Sequence, residues 1–203
     1  MLQYSVSKLA TAAGLLLLWI LQSLPPNTLS AHAGDKTHDK YFGAGSITAA
    51  KAIGLIFGLL GLAVTCDDML GRQSMRQPWS LADVIYVAMA LAGAVLRLWA
   101  MKVLAKHFTF EVGIVKDHKL VQSGPYQRIR HPGYTGAIVC AVGTLGFLCL
   151  RPPGMVWFTV FAVPMTLFMA ARITNEEHTL HQHFGKQWEQ HCKRTWRLFP
   201  PLL

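Results

Sequence analysis

The chain has 203 residues, of which 52% are hydrophobic and only 14% charged. That length suits one domain, and the apolar excess excludes an ordinary water-soluble fold in favour of an all-α integral membrane protein. The net charge of +9 invites nucleic acid, but the basic residues gather on alternate connections between apolar runs, a pattern that points to a membrane instead.

Five runs approach the roughly 20 apolar residues that a helix needs to cross about 30 Å of hydrocarbon. They are residues 8–24, 47–66, 81–104, 134–150 and 154–171, and they predict about five transmembrane helices. The stretch after the first run carries Ala31-His32-Ala33, which resembles a signal-peptidase site. With Lys8 as the only charge ahead of the apolar stretch 10–24 and a long gap before Ala33, a retained first helix is expected. Residues 1–80 form an N-terminal part, two spans with connecting loops and no recognisable site; residues 81–203 carry the chemistry.

Connections 25–46, 105–133 and the tail after 171 hold twelve of the nineteen Lys and Arg residues, while Lys8, Arg72, Arg76 and Arg151 fall on the opposite side. Lys51, Arg97 and Lys102 lie within spans. The positive-inside rule puts both polar blocks of the C-terminal half in the cytosol. Cys66, Cys140, Cys149 and Cys192 show no C-x-x-C spacing, so neither a disulfide framework nor a zinc knuckle is expected.

Arg97 sits about two turns before the end of the third run. It either snorkels to the headgroups or faces a polar cavity between helices. Residues 106–122 predict irregular structure with one short helix, and Gly124-Pro125 punctuates it. His131-Pro132 opens the fourth span, since proline is tolerated in a first helical turn. Arg151-Pro152-Pro153-Gly154 is a tight turn, making spans four and five a hairpin. The last helix is expected to run on through residues 172–184 and to break at Gly185.

Two polar blocks thus flank that hairpin, S-G-P-Y-Q-R-I-R-H-P-G-Y-T-G at 123–136 and R-I-T-N-E-E-H-T-L-H-Q-H-F-G at 172–185. Arg172 and Glu176, four apart, share a helix face. Their order is the less favourable one for the helix dipole, and they face the loop bearing Arg130 and His131, which suggests a site rather than a decorative pair. His178, His181 and His183 point in different directions at about 100° per residue, so no metal is expected. G-x-S-x-G, P-loop and G-x-G-x-x-G motifs are lacking, which leaves serine hydrolysis, ATP use and a Rossmann cofactor without support.

From Leu96 onward the chain resembles the isoprenylcysteine carboxyl methyltransferase family, in L-R at Leu96-Arg97, F-T-F at 108–110, H-K-L-V at 118–121, the 123–136 block and E-E-H-T-L-H-Q-H-F-G at 176–185. Trp188 stands where the family often has Tyr, and Gly133 where it usually has Ser. The resemblance implies an integral membrane enzyme of the endoplasmic reticulum, its active site facing the cytosol. It would methylate the C-terminal carboxylate of prenylated CaaX proteins, whose prenyl chain enters from membrane lipid. It implies S-adenosyl-L-methionine held by His118, Lys119, Leu120, Val121, Tyr126, His131, Pro132, Gly133, Tyr134 and Glu176. It further implies Arg172 as the binder of the substrate carboxylate, so that Arg172 and Glu176 carry the catalysis. Other readings remain: a phospholipid N-methyltransferase, which has no use for a carboxylate-binding Arg172; an NADPH-dependent membrane sterol reductase, which shares an R-H-P-x-Y-x-G segment; and a non-catalytic prenyl-binding escort.

Overall fold

The computed structural model describes residues 2–23, 78–104, 120–149 and 154–200. The second expected span (47–66), residues 105–119 of the connection 105–133 and the hairpin turn 151–153 lie outside the described residues. Within them the chain is helical, in the order α1 (Leu2–Ser23), α2 (Leu81–Leu104), a single 3-10 turn (Gly124–Gln127), α3 (Pro132–Cys149), α4 (Gly154–Phe184) and α5 (Lys186–Arg194). Extended pairing among the described residues is confined to one isolated parallel bridge, Ile129 with Trp196.

At 1.5 Å per residue the 24 residues of α2 reach about 36 Å, enough for a bilayer core. Among the described residues it is the helix long and apolar enough to span by itself; residues 6–19 and 132–148 form shorter apolar helices. Its start is built by a reciprocal cap, with the Asp83 N–H donating to Ser80 Oγ at 3.2 Å and the Ser80 N–H to Asp83 Oδ2 at 2.9 Å. Lys8 of α1, 1% exposed, donates to the same Asp83 oxygen at 2.8 Å. The residue expected to be a flanking charge is therefore half of a buried ion pair that ties the first helix to α2.

α2 and α3 meet backbone to backbone through small residues. A Cβ on Gly93 would stand 2.3 Å from the Cys140 nitrogen, one on Gly136 2.6 Å from the Arg97 nitrogen, and one on Gly143 2.4 Å from the Ala90 nitrogen. Gly136, Cys140 and Gly143 recur at helical spacing, the arrangement that lets membrane helices approach closely when lipid offers no hydrophobic drive. The core they seed includes Ala12, Leu15, Ala90, Ala94, Cys140 and Phe147. This contact fixes where the N-terminus of α3 lies, and hence where the candidate site can form.

α3 starts at Pro132 as expected, and α4 runs without a break past residue 171 to Phe184. Gly185, at φ +50°, ends it in the left-handed region that suits glycine. The short α5 then turns back and buries Trp188 and His191. After α5 the chain lies along the loop before α3: the Arg130 N–H donates to the Trp196 carbonyl at 2.8 Å, Trp196 N–H to Arg128 at 2.9 Å, and His131 N–H to Arg197 at 3.2 Å. Thr135 Oγ1 donates to the Leu198 carbonyl at 2.6 Å. The tail is a strap over the loop, a pairing with no local sequence signal.

Candidate active site

Two elements converge at the first turn of α3. The loop 123–131 arrives through the 3-10 turn, for which Gly124 adopts φ +59°. α4, continuing past its apolar part, brings Arg172 and Glu176 alongside. These two share a face as expected, but they are joined through a third group. Arg172 Nε donates to the Tyr134 hydroxyl at 2.7 Å, and that hydroxyl donates to Glu176 Oε2 at 2.8 Å. A tyrosine in the first turn of α3 thereby orients a guanidinium and a carboxylate at once.

His131, 4% exposed, stands between two carboxylates. Its Nε2 lies 3.1 Å from Glu177 Oε1 and its Nδ1 3.7 Å from Glu176 Oε1. Burial alone would lower the imidazole pKa, but Glu176 and Glu177 outweigh it and raise it above the ordinary histidine value. The same contact works in reverse on Glu176. Burial would raise its carboxyl, yet His131, the Tyr134 hydroxyl and the Arg172 cation hold it below the usual carboxylate range. Glu177 is likewise depressed against burial, by His131 and then by Arg130 and Arg197. Arg130 Nε lies 3.2 Å and Arg197 Nη2 3.0 Å from its carboxylate. Burial, reinforced by Glu176, raises the Tyr126 phenol, which remains neutral.

Arg97 resolves in favour of a polar interior. It is half-buried, and its Nη1 donates to the Gly133 carbonyl at 3.1 Å, so a cation from α2 holds the first turn of α3. Gly133 itself faces open space, since a Cβ there would meet nothing within 4 Å. A methyl group there would therefore be tolerated without moving the first turn of α3.

Arg172, Glu176, His131 and Tyr134 thus come together around the turn that also holds Pro132 and Gly133, with Tyr126 within electrostatic reach of Glu176. Leu120 and Val121 are half-buried at the start of the loop, and His118 and Lys119 lie outside the described residues. His178 and His183 are exposed, and His181 pairs with Glu189 at 3.1 Å. Among the described residues no group of three or more His, Cys, Asp or Glu side chains could hold a metal. Sequence reasoning missed Glu177 as a hub and missed Arg197 altogether. Glu177 was visible as the second residue of E-E, but adjacent helix positions diverge by about 100°, so its partners had to come from segments distant in the chain.

Residues 86–182 match the isoprenylcysteine carboxyl methyltransferase family. The chain is 36% identical over 122 residues to protein-S-isoprenylcysteine O-methyltransferase B of Arabidopsis thaliana, covering 59% of each chain. It is 31% identical over 137 residues to protein-S-isoprenylcysteine O-methyltransferase A of the same plant, covering 66% of this chain and 67% of the relative. A third relative, the protein-S-isoprenylcysteine O-methyltransferase of Dictyostelium discoideum, is 36% identical over 112 residues, 54% of this chain and 46% of its own. The chain spans about six-tenths of the length of the first two curated relatives, those of Arabidopsis and rice. With the matched stretch taking in both polar blocks up to Gln182 and a relative at 31% identity covered over two-thirds of its length, the chain belongs to the isoprenylcysteine carboxyl methyltransferase family.

Proposed function

We propose that this chain is a protein-S-isoprenylcysteine O-methyltransferase, esterifying the C-terminal carboxylate of a prenylated cysteine at the membrane surface. The observation that carries it is the Arg172–Tyr134–Glu176 bridge, in which a guanidinium fit for a carboxylate is held one helical turn from a carboxylate fit for a cation. The relatives it matches bear that activity in their names. Bound S-adenosyl-L-methionine supplies an electrophilic methyl on a sulfonium.

The substrate α-carboxylate, with a pKa of about 3.3–3.7, is already an anion at neutral pH and needs no general base. Placement is the task left to the protein, and Arg172 performs it. Its planar fork matches a carboxylate, and Tyr134, by engaging Nε, fixes the plane of that fork. Glu176, Tyr126 and the Pro132–Gly133 turn hold the cofactor side, together with His118, Lys119, Leu120 and Val121 at the loop. His131 is held between Glu176 and Glu177 and keeps the first turn of α3 against α4. Both blocks face the cytosol by their charge, and the five spans, an endoplasmic reticulum location and lateral entry of the prenyl chain from lipid belong to the same proposal.

A radiolabelled methyl-transfer assay on the purified full chain, with N-acetyl farnesylcysteine as acceptor, tests it. Transfer by the wild type, abolished in Arg172→Ala and strongly reduced in Glu176→Gln, is expected. Labelling of phosphatidylethanolamine in place of the thioether acid would overturn the substrate class. Wild-type rates persisting in both variants would overturn the site.

A further inference from the structure

Arg197 lies beyond the stretch that matches the family, in the strap that follows α5. It reaches His131 by two routes, one direct and one through Glu177. Its carbonyl accepts the His131 N–H at 3.2 Å, and its Nη2 lies 3.0 Å from Glu177 Oε2, while Glu177 Oε1 takes His131 Nε2 at 3.1 Å. The same Nη2 donates to Thr174 Oγ1 at 2.8 Å, one turn before Glu177 on α4. One side chain thus spans two positions of α4, and its own main chain holds the loop.

A second cation, Arg130 of the loop itself, also lies 3.2 Å from Glu177 Oε1 and donates from Nη1 to the Cys192 carbonyl at 3.4 Å, so it ties the loop to α4 from the opposite side. Arg197 comes from a separate segment, itself anchored by Thr135 Oγ1 on the Leu198 carbonyl and by Thr195 Oγ1 on the His191 carbonyl.

The consequence falls on Glu176. His131 sits at 3.1 Å from Glu177 but 3.7 Å from Glu176, beyond hydrogen-bond range on the second side. Glu176 Oε2 is occupied by Tyr134, so Oε1 is the oxygen for an incoming cation. If Glu177 drifted, the ring would be drawn to the remaining carboxylate and would cover that oxygen. We propose that Arg197 is a positioning residue which, through Glu177 and the His131 main chain, holds the imidazole off Glu176 and keeps Glu176 Oε1 available to the cofactor. This rests on reading the pocket as the cofactor site.

Titration calorimetry of the full chain in detergent micelles with S-adenosylhomocysteine tests it, alongside the KM for N-acetyl farnesylcysteine. Arg197→Ala should weaken S-adenosylhomocysteine about fivefold, the scale of one partly exposed ion pair, while the acceptor KM stays within about twofold. Arg197→Lys should restore most of the affinity, and Arg197→Ala in a Glu177→Gln background should add nothing. Thr174→Val, which leaves the strap backbone intact, should give a smaller shift in the same direction. Unchanged affinity in Arg197→Ala, equal losses in Ala and Lys variants, or independent losses with Glu177→Gln would overturn the proposal while leaving the function intact. A wild type that binds no S-adenosylhomocysteine would overturn both.

Discussion

Tyr134→Phe removes one oxygen from the centre of the site and leaves the ring in place. That oxygen accepts from Arg172 Nε at 2.7 Å and donates to Glu176 Oε2 at 2.8 Å, so two charge-assisted hydrogen bonds disappear together. Each is worth about 1.5–3 kcal/mol. The loss is not their sum, because Arg172 and Glu176 are neighbours at i and i+4 on α4 and can close on each other once the hydroxyl is gone. Closure recovers about one of the two, which leaves a net deficit near 2 kcal/mol, or roughly 30-fold in kcat/KM. It also turns the guanidinium from the acceptor and the carboxylate from the cofactor. Both the KM for N-acetyl farnesylcysteine and the dissociation constant for S-adenosylhomocysteine should therefore rise, unlike the one-sided effect expected of Arg197→Ala. Steady-state methyl transfer and calorimetry on the same preparation read the two constants. A Tyr134→Phe enzyme within threefold of wild type in both would refute the idea that the bridge sets the site.

Packing and charge supply the other tests. Gly93→Ala forces the α2 and α3 backbones apart, since its Cβ would meet the Cys140 nitrogen at 2.3 Å. At about 1–3 kcal/mol for overpacking, and about 2–4 °C per kcal/mol for a chain of this size, the melting temperature in detergent should fall by roughly 5 °C. Gly133→Ala, facing open space, should leave it unchanged. Lys8→Met strands the buried Asp83 carboxylate and should destabilise by about 3–5 kcal/mol, read as loss of the folded fraction on heating. Adding Asp83→Asn, which keeps the cap on Ser80 but removes the charge, should recover most of that loss, and a double variant as unstable as the single would contradict it. Stability should also depend on pH in two limbs. The raised pKa of His131 makes its contribution full below about 6.5 and lost as pH rises through the folded value. The depressed Glu176 and Glu177 contribute above about 4.5 and fail as pH falls through their folded values. Melting temperatures should be highest between those limits, and His131→Gln should flatten the alkaline limb.

Much of the candidate site's local geometry is legible in the sequence because its parts are encoded locally. Helix periodicity puts Arg172 and Glu176 on one face, Pro132 marks the start of α3, and Gly185 marks the end of α4; each is a property of a few consecutive residues. The membrane character follows from composition in the same way, since about 20 apolar residues announce a span without reference to their neighbours. The role of Tyr134 as the link between Arg172 and Glu176 was not legible, because it depends on the rotation of α3 about its axis relative to α4. That rotation is set elsewhere, by the glycines that let α2 and α3 touch. Lys8 and Asp83 are separated by 75 positions, and Arg197 meets Glu177 only because α5 reverses the chain. Local spacing determined which groups are present and which helix face they share. Long-range packing decided which charges neutralise one another, because the energy of a buried ion depends on what stands within a few ångströms, and chain order does not record that distance.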